Sequence, residues 1–402
     1  MQNFPSSSNC NIWFQEGQMP IWWAFVPYPC FDSSLKLSIY SHISRFLKVF
    51  SVLLHQESSR IWKASLEKTN MKQEIIEHIN QLVREGAPFL FVINYQGDKA
   101  YIRKLSEIDS RECLYDFDGK ANTKDLSLNS LPSKISWKAM APSFSEYAKS
   151  FDIVKRNIMA GNSYLTNLTC QVPIECNLSL EDVFFHSQGK YKLLMNQEAD
   201  DLGQFVCFSP ETFVKIRNGR IYSYPMKGTI SADHPHAELT LMEDEKETAE
   251  HATIVDLIRN DLSRVGTDVR VDRYRYIDLL HTNKGDILQT SSEISGKLPD
   301  DYQLHIGNIL AAQLPAGSIT GAPKDKTCAI IREAETYERG FYTGIMGIYK
   351  DGELDSAVMI RFIEQTEQGM VFKAGGGITS KSDCHKEYEE VLQKVYLPII
   401  EK

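Results

Sequence analysis

The sequence predicts a globular protein of mixed α-helices and β-strands with one large domain. Three observations support this prediction. The chain has 402 residues, its apolar and charged shares are 42% and 24%, and strand-like stretches alternate with helical ones from Tyr164 onwards. These shares are typical of globular proteins. A large mixed sheet can use this length as one core, so we expect one large domain preceded by an N-terminal extension.

Charge and cysteine usage exclude several classes of protein. The formal net charge is -9, whereas proteins that bind nucleic acid rely on clustered Lys and Arg. The eight cysteines form no CxxC pair and no zinc-binding spacing, which predicts reduced thiols in a cytoplasmic protein. The sequence shows neither a signal peptide nor a run of about 18 apolar residues, so we expect no membrane span.

The first 70 residues differ in composition from the rest of the chain. They hold four of the five tryptophans, and the first 50 of them carry only five charged side chains. At Met71 an amphipathic helix begins, with apolar residues at helical spacing from Ile75 to Val83, and Gly86 ends it. We therefore expect residues 1–70 to be a disordered leader, or to precede a true start of translation at Met71.

The following stretch contains a predicted hairpin and a linker. Phe89–Ile93 is typical of a buried strand, and Ala100–Lys104 is its predicted partner after a turn. Residues 119–135 are polar and show no period, which is typical of a linker. The sequence thus divides into an N-terminal subregion, residues 71–143, and a core, residues 144–402.

The core begins with a predicted helix from Phe144 to Ala160, which Gly161 ends. A strand from Tyr164 to Val172 follows, and the last helix is expected from about His385.

A lysine stands out after the strand-like run Phe213–Tyr222. Lys227 lies in the stretch YPMKGT, residues 224–229, between a proline-led extended dipeptide and a glycine. This context disfavours a helix, so its ammonium group is expected at a strand end or turn. The local sequence alone also fits a solvated loop lysine.

Two pairs of glutamates are spaced i,i+3 in predicted helices, which places each pair on one helix face. The pairs are Glu247 with Glu250 and Glu387 with Glu390. A hard cation such as Mg²⁺ prefers oxygen ligands and is often held by one or two carboxylates. The alternative is two solvated acidic faces.

Three further features suit the binding of an anion or a small ligand. Arg361, at the end of a predicted strand Leu354–Ile360, can hold a carboxylate with a bidentate fork. Gly375–Gly377 can offer backbone N–H groups as an anion nest, or can form a simple turn. The stretch 317–324 reads as a loop entering a helix, with Pro323 in the first turn and Thr320 as a cap.

Five stretches in this order resemble the chorismate-utilising enzymes, most closely the branch that makes aminodeoxychorismate. They are YPMKGT, residues 244–266, residues 315–324, residues 339–347 and residues 375–394. The resemblance runs from about Phe144 to the C-terminus. It implies an α+β fold in which two large, mostly antiparallel sheets pack face to face, with helices outside and the active site in the cleft between the sheets.

The resemblance also implies roles for individual residues. Glu250 and Glu390 would contact Mg²⁺ directly, with Glu247 and Glu387 acting through water. Lys227, Thr229 and Gln289 would lie at the reacting atoms. The residues that would hold or line the substrate are Thr320, Gly321, Tyr342, Arg361, Gly375, Gly376 and Gly377.

Three positions bear on the branch. The anthranilate branch has alanine where this chain has Lys227, and the branch that adds water has a lysine where this chain has Leu165. Many members have histidine where Gln289 stands. Glutamine cannot transfer a proton at neutral pH, so Lys227, bound water or His281 would have to replace that histidine as proton donor.

The implied reaction is the Mg²⁺-dependent amination of chorismate with ammonia to 4-amino-4-deoxychorismate, within para-aminobenzoate and folate biosynthesis. Lys227 would attack C2 as the C4 hydroxyl leaves, and burial beside Mg²⁺ is expected to lower its pKa. No Cys-His-Glu glutaminase arrangement is visible, so ammonia should come from a separate glutamine amidotransferase subunit. The alternatives are anthranilate synthase component I and a non-catalytic chorismate-binding protein.

Overall fold

The computed structural model describes residues 69–123, 131–197, 202–282, 285–397 and 399. Residues 1–68, which make up almost all of the expected leader, lie outside this range. The predicted boundaries at residues 70 and 143 stay predictions.

Strands hold more of the described residues than helices do. In chain order they are β1 (Phe89–Ile93), β2 (Ala100–Lys104), β3 (Cys113–Phe117), β4 (Lys120–Ala121), β5 (Trp137–Ala139), β6 (Leu165–Cys176), β7 (Tyr191–Gln197), β8 (Gly203–Ser209), β9 (Thr212–Arg217), β10 (Arg220–Ser223), β11 (Met226–Ser231), β12 (Thr267–Thr282), β13 (Gly285–Lys297), β14 (Gly321–Ala322), β15 (Ile345–Lys350), β16 (Glu353–Val358), β17 (Phe362–Thr366) and β18 (Gly369–Ile378).

Helices are interspersed between the strands. In chain order they are α1 (Gln73–Arg84), α2 (Phe144–Met159), α3 (Leu180–His186), α4 (Ala237–Glu243), α5 (Glu245–Leu262), α6 (Ile306–Gln313), α7 (Lys324–Ala334) and α8 (Cys384–Gln393).

The strands form two sheets of nine. The first sheet has the order β11-β13-β10-β9-β16-β15-β1-β2. Its ninth strand, β12, lies off this path and pairs with β13 along most of its length. The second has the order β14-β6-β18-β17-β8-β7-β3-β4, with β5 beside β6. All pairings between these strands are antiparallel. The residues of the predicted N-terminal subregion thus contribute strands to both sheets.

Three layers of apolar side chains show how the sheets pack. One layer joins Leu90 and Met346 of the first sheet to Leu193 and Phe205 of the second. A second layer packs helices α1 and α6 on the outer face of the first sheet, and a third packs α2, α3, α7 and α8 on the outer face of the second. Two antiparallel sheets therefore lie face to face with helices outside, and the predicted α+β fold is confirmed.

Strand β1 illustrates why both faces of a sheet are covered. Successive side chains of a strand point to opposite faces. Phe89 and Phe91 join the layer under α1, whereas Leu90 and Val92 join the layer between the sheets. A continuous apolar run, as predicted for Phe89–Ile93, is what a strand buried on both faces requires.

One predicted strand is two strands in the structure. The run Phe213–Tyr222 forms the hairpin of β9 and β10, with Arg217 opposite Arg220. Asn218 and Gly219 at the turn both have positive φ, as a two-residue hairpin turn requires. The Asn-Gly pair overrides the alternating pattern around it.

The chain crosses between the two sheets at two short connections. Pro210 and Glu211 link β8 of the second sheet to β9 of the first, and residues 359–361 link β16 of the first sheet to β17 of the second. Pro210, Glu211, Ile360 and Arg361 all line the same cavity. Residues at the crossings are therefore held by both sheets and face the space between them.

Two further expectations concern the environment of the protein. No helix among the described residues is long and apolar enough to cross a membrane. The six cysteines in the described ranges are free thiols. The cytoplasmic location stays a prediction.

Candidate active site

A cavity of about 510 Å³ lies where the two sheets part. Its wall is built from β11, α5, β18, α8 and the two crossings between the sheets. Of the residues predicted for the site, those that line it are Lys227, Gln289, Glu250, Glu390, Tyr342, Arg361, Gly375, Gly376 and Gly377. Lys227 and Glu390, which are 163 positions apart in the sequence, thus meet at one place.

Lys227 is the second residue of β11, next to a β-bulge. The register against β13 shifts between Lys227 and Thr229, and the intervening Gly228 has a φ of 79°. The Thr290 hydroxyl of β13 donates a hydrogen bond to the Lys227 carbonyl. The bulge re-aims the strand, and the Lys227 ammonium enters the cavity, where its Nζ lies 2.6 Å from Glu250 Oε2.

Burial and nearby carboxylates have opposite effects on the pKa of Lys227. Burial alone would lower the pKa of Lys227, but the carboxylates of Glu250, Glu247 and Glu390 outweigh it and raise the pKa. The ion pair with Glu250 thus stabilises the ammonium form in the chain by itself, and the lowering expected beside Mg²⁺ stays a prediction. A neutral amine requires that Glu250 be engaged by another cation.

Helix α5 carries the first glutamate pair. Asp244 caps it, since Asp244 Oδ1 accepts a hydrogen bond of 2.8 Å from the Glu247 backbone N–H. Glu247 and Glu250, one turn apart, both act on the Lys227 ammonium. Glu247 Oε2 is buried and has no hydrogen-bond partner among the described residues. Burial raises the pKa of Glu247, and Lys227 offsets part of this effect.

Helix α8 carries the second pair. Asp383 caps it by accepting a hydrogen bond from the Lys386 backbone N–H. Burial raises the pKa of Glu387. Burial would do the same for Glu390, but Lys394, whose Nζ lies 2.8 Å from Glu390 Oε1, and Lys227 lower the pKa of Glu390 overall.

The glutamates of α8 converge above Gly376. A Cβ atom on Gly376 would lie 3.6 Å from Lys394 Nζ, 3.7 Å from Glu387 Oε2 and 3.8 Å from Glu390 Oε1. Two carboxylates and the Lys394 ammonium thus meet beside this glycine at ordinary contact distances.

The four glutamates suit a hard cation. In the described ranges, no three His, Cys, Asp or Glu side chains already form a metal-binding cluster. Lysine ammonium groups instead neutralise Glu250 and Glu390. The partnerless Glu247 oxygen and the carboxylates of Glu387 and Glu390 that meet beside Gly376 fit an oxygen-ligand cation such as Mg²⁺.

Arg361 and Tyr342 lie on the side of the cavity formed by the second crossing. Strand β16 ends at Val358, so Arg361 lies in the crossing and not at the strand end that the sequence predicts. Its φ is 56°, and its carbonyl accepts a hydrogen bond from the Phe208 backbone N–H. The side chain of Tyr342 is only 3% exposed, and burial raises its pKa well above the ordinary value, so its hydroxyl stays protonated.

The three glycines lie in a strand and do not form a nest. Gly375, Gly376 and Gly377 belong to β18, pair with β6, and have no positive φ. In an extended strand only alternate backbone groups point to the same side. Strand β17 pairs with β18 only up to Lys373, so the edge beyond it is open. The Gly375 carbonyl on this edge accepts a hydrogen bond of 2.9 Å from Lys394 Nζ.

Five predicted residues do not line the cavity: Glu247 and Glu387, described above, and Thr229, Thr320 and Gly321. Thr229 is exposed beside Gln289. Thr320 is fully buried and does not cap α7, whose cap position is Pro323. Gly321 lets β14 approach β6, because a Cβ atom there would lie 1.9 Å from the Leu165 carbonyl oxygen. Their neighbours Ser318 and Ile319 form the wall instead.

Two cavity residues were missed in the sequence. Lys394 ends the last of the five motif stretches, and the sequence gives it no role, although it pairs with Glu390. Glu211 lies in the first crossing, where Ser318 Oγ donates a hydrogen bond of 2.5 Å to Glu211 Oε1. Burial raises the pKa of Glu211, and Ser318 and Arg361 offset part of the rise. The sequence does contain a signal for Glu211. It is a single carboxylate that follows Pro210 between two apolar strands.

Fold and cavity together define an enzyme with a small-molecule site rich in paired carboxylates and cations. A sequence model described as chorismate binding enzyme matches residues 60–399. The chain therefore belongs to the chorismate-binding enzyme family. This confirms the family that the five motif stretches indicate.

The chain is similar to proteins with several names. It is 47% identical to an uncharacterized PabA-like protein of Haemophilus influenzae, over 81% of this chain and 97% of that protein. It is 35% identical to aminodeoxychorismate synthase component 1 of Salmonella typhimurium, over 48% of this chain and 43% of that one.

A solved structure, anthranilate synthase component I of Streptococcus pneumoniae, is 28% identical and matches with a TM-score of 0.56. The match covers 67% of this chain and 60% of that one. The chain thus spans about half of each synthase subunit named here.

Proposed function

We propose that this chain aminates chorismate with ammonia to give 4-amino-4-deoxychorismate and water. The observation that carries the proposal is the Lys227 amine inside the cavity, 2.6 Å from Glu250. The similarity to the Salmonella aminodeoxychorismate synthase component 1 supports it. The product would serve para-aminobenzoate and folate biosynthesis in the cytoplasm.

Cationic and polar groups at one end of the cavity suit the two carboxylates of chorismate. Arg361 offers a planar fork for one of them, and the Tyr342 hydroxyl can donate a hydrogen bond beside it. Lys394 and the open edge of β18 can hold the other. The substrate would be fixed with its ring between Lys227 and Glu211.

Glu250 and Glu390 would hold Mg²⁺, with Glu247 and Glu387 behind them. The cation supplies positive charge for a substrate carboxylate. When Glu250 is engaged in this way, the Lys227 ammonium loses its ion-pair partner. Burial, which already opposes the ammonium form, then favours the neutral amine.

The chemical steps use two side chains, Lys227 as the nucleophile and Glu211 as the proton donor. Lys227 Nζ forms a bond to C2 of chorismate as the C4 hydroxyl leaves with a proton, and ammonia then adds at C4 and releases Lys227. Gln289 cannot supply that proton. Glu211 can, because burial keeps its carboxyl group protonated to a higher pH than usual.

The direct experiment incubates the purified protein with chorismate, Mg²⁺ and ammonium, and identifies the product by chromatography and mass spectrometry. We expect 4-amino-4-deoxychorismate. The similarity to the Streptococcus anthranilate synthase component I favours a second candidate, amination at C2 to anthranilate. Anthranilate as the main product would establish the second candidate, and no aminated product would leave a chorismate-binding role.

Changing a predicted metal ligand is expected to weaken Mg²⁺ binding. Glu250→Gln and Glu390→Gln should each raise the Mg²⁺ concentration for half-maximal activity by about 10- to 100-fold, the range seen when metal-site groups are altered. The amide lacks the charge that attracts a hard cation. Calorimetric Mg²⁺ titration of the protein provides a second readout.

Glu243→Gln is the matched control, since Glu243 is exposed at the end of α4. If all three variants bind Mg²⁺ like the parent, the metal assignment is wrong.

The source of ammonia gives another expected result. The chain alone should use ammonium but not glutamine, because it shows no Cys-His-Glu glutaminase arrangement. Adding a glutamine amidotransferase subunit should confer glutamine-dependent amination. The measurement is the rate of product formation with each nitrogen source. Glutamine turnover by the lone chain would contradict the partner assignment.

A further inference from the structure

Residues 379–382, which we call the rim loop, lie between strand β18 and helix α8. Thr379, Ser380 and Lys381 of this loop line the active-site cavity. The chemical steps described above use none of them. The rim loop is therefore a part of the cavity wall without an assigned role.

Lys155 of helix α2 holds the rim loop by its backbone. Its Nζ donates hydrogen bonds of 2.8 Å to the carbonyls of Ser380 and Ser382, and it lies 3.4 Å from the Thr379 carbonyl oxygen. An ammonium group has three donors and no acceptor, so this one loop uses all three donors. Hydrogen bonds from a charged donor are stronger than neutral ones. One side chain from a distant helix thus fixes the path of the loop.

The rim loop also has hydrogen bonds of its own. The Thr379 backbone N–H donates to Ser382 Oγ at 3.0 Å, and the Ser382 backbone N–H donates to the Thr379 carbonyl at 3.2 Å. The Lys381 backbone N–H donates to Thr379 Oγ1 at 3.3 Å. Ser382 is only 7% exposed, whereas Lys381 is exposed. The backbone at Lys381 is therefore held, and its side chain extends to solvent.

The position of Lys381 matters for an anion that approaches the cavity. The chain has a formal net charge of -9, and Glu250 and Glu390 line the cavity, so an anion meets mostly repulsion. Lys246 also lines the cavity and is exposed, but its Nζ lies 3.7 Å from Glu250 Oε1, which offsets its charge. Lys381 thus places a positive charge where the cavity meets solvent.

We propose that the rim loop is an entry site for the dianionic substrate, in which Lys155 fixes the backbone and Lys381 supplies the attracting charge. This inference rests on the proposed function, because it names how that site captures a dicarboxylate. A cation held at the mouth of a cavity raises the association rate of an anion, and salt screens the effect. Lys381 is not among the groups that carry the chemical steps, so the rate at saturating substrate does not depend on it. Lys155 is a positioning residue that acts through Lys381.

The first test removes the charge with Lys381→Gln. We expect kcat/KM for chorismate to fall about tenfold at low salt, with kcat unchanged, since steering of this kind changes association rates by about 10- to 1,000-fold. The difference from the parent should largely disappear at about 1 M salt, where the Debye length is about 3 Å. Lys386→Gln is the matched control, because Lys386 is exposed in the first turn of α8 and does not line the cavity.

The second test removes the tether with Lys155→Met. It should lower kcat/KM like Lys381→Gln, and it should have little further effect when Lys381→Gln is already present, because both changes remove one interaction. Lys155→Arg can donate to the same carbonyls and should restore most of the loss. Lys149→Met is the control, since Lys149 is exposed on the same helix. Hydrogen exchange should be faster at residues 379–382 in Lys155→Met and unchanged in Lys149→Met.

Three results would overturn the proposal. They are equal effects of Lys381→Gln and Lys386→Gln at low salt, additive effects of Lys155→Met and Lys381→Gln, and a fall in kcat alone in Lys155→Met. If Lys155→Met does not fold, the salt dependence of Lys381→Gln still decides. Calorimetric titration with chorismate at two salt concentrations gives the same comparison without turnover. A parent that binds chorismate in this salt-dependent way but forms no aminated product would refute only the proposed function, so the two failures are distinguishable.

Discussion

Lys227→Ala is expected to bind chorismate and to lose amination. The carboxylates remain held by Arg361, Tyr342 and Lys394, so the dissociation constant measured by calorimetry should change little. The covalent step is lost, and the rate should fall by at least about 100-fold, or about 2.7 kcal/mol on the barrier. A slow direct addition of ammonia can persist in a preorganised cavity.

Lys227→Arg is the matched variant for this prediction. Guanidinium can keep the ion pair with Glu250, but it stays protonated and is a poor nucleophile, so it should not restore the rate. Intact-protein mass spectrometry of the parent with chorismate and without ammonia should show an adduct that Lys227→Ala lacks. No adduct on the parent, together with an unchanged rate in Lys227→Ala, would remove Lys227 from the mechanism.

Glu211→Gln is expected to lower turnover by about 10²- to 10⁴-fold, the usual contribution of a general acid. The amide keeps the shape of the side chain and can still bond to Ser318, but it has no proton to give. Because burial raises the pKa of Glu211, the acid form persists to higher pH than for an exposed glutamate. The parent rate should therefore fall as pH rises through this pKa, and the variant should lack that limb of the profile.

Glu181→Gln, at an exposed position in the first turn of α3, is the control for this prediction. A parent-like rate and pH profile in Glu211→Gln would mean that bound water or Lys227 supplies the proton. Chorismate affinity should be unchanged, which separates a lost proton donor from a damaged binding site.

Some assignments followed from local sequence because local interactions determine them. The predicted strands Phe89–Ile93 and Ala100–Lys104 have the observed bounds of β1 and β2. The predicted helix after Met71 begins slightly later, at Gln73. Capping, periodicity and turn residues act within a few positions, so a single stretch contains the necessary information.

The glutamate pairs were predictable for the same reason. A spacing of i,i+3 places two side chains on one face of any α-helix, and α5 and α8 are both helical there. The ordered motifs then led to the correct family and to the two-sheet fold. Sequence alone thus determined the family, the fold class and nine residues of the cavity wall.

Only the tertiary structure decided which charges meet. Lys227 and Glu250 are 23 positions apart, and Glu211 and Ser318 are 107 apart, so no local pattern reports their contacts. The contact with Glu250 raises the pKa of Lys227, whereas burial alone would lower it. The glycines of β18 are extended because β6 pairs with them, whereas their sequence fits a turn equally well. Burial and pairing depend on chain segments brought together by the fold, and this is why the sequence could indicate the residues of the site but not their protonation or their partners.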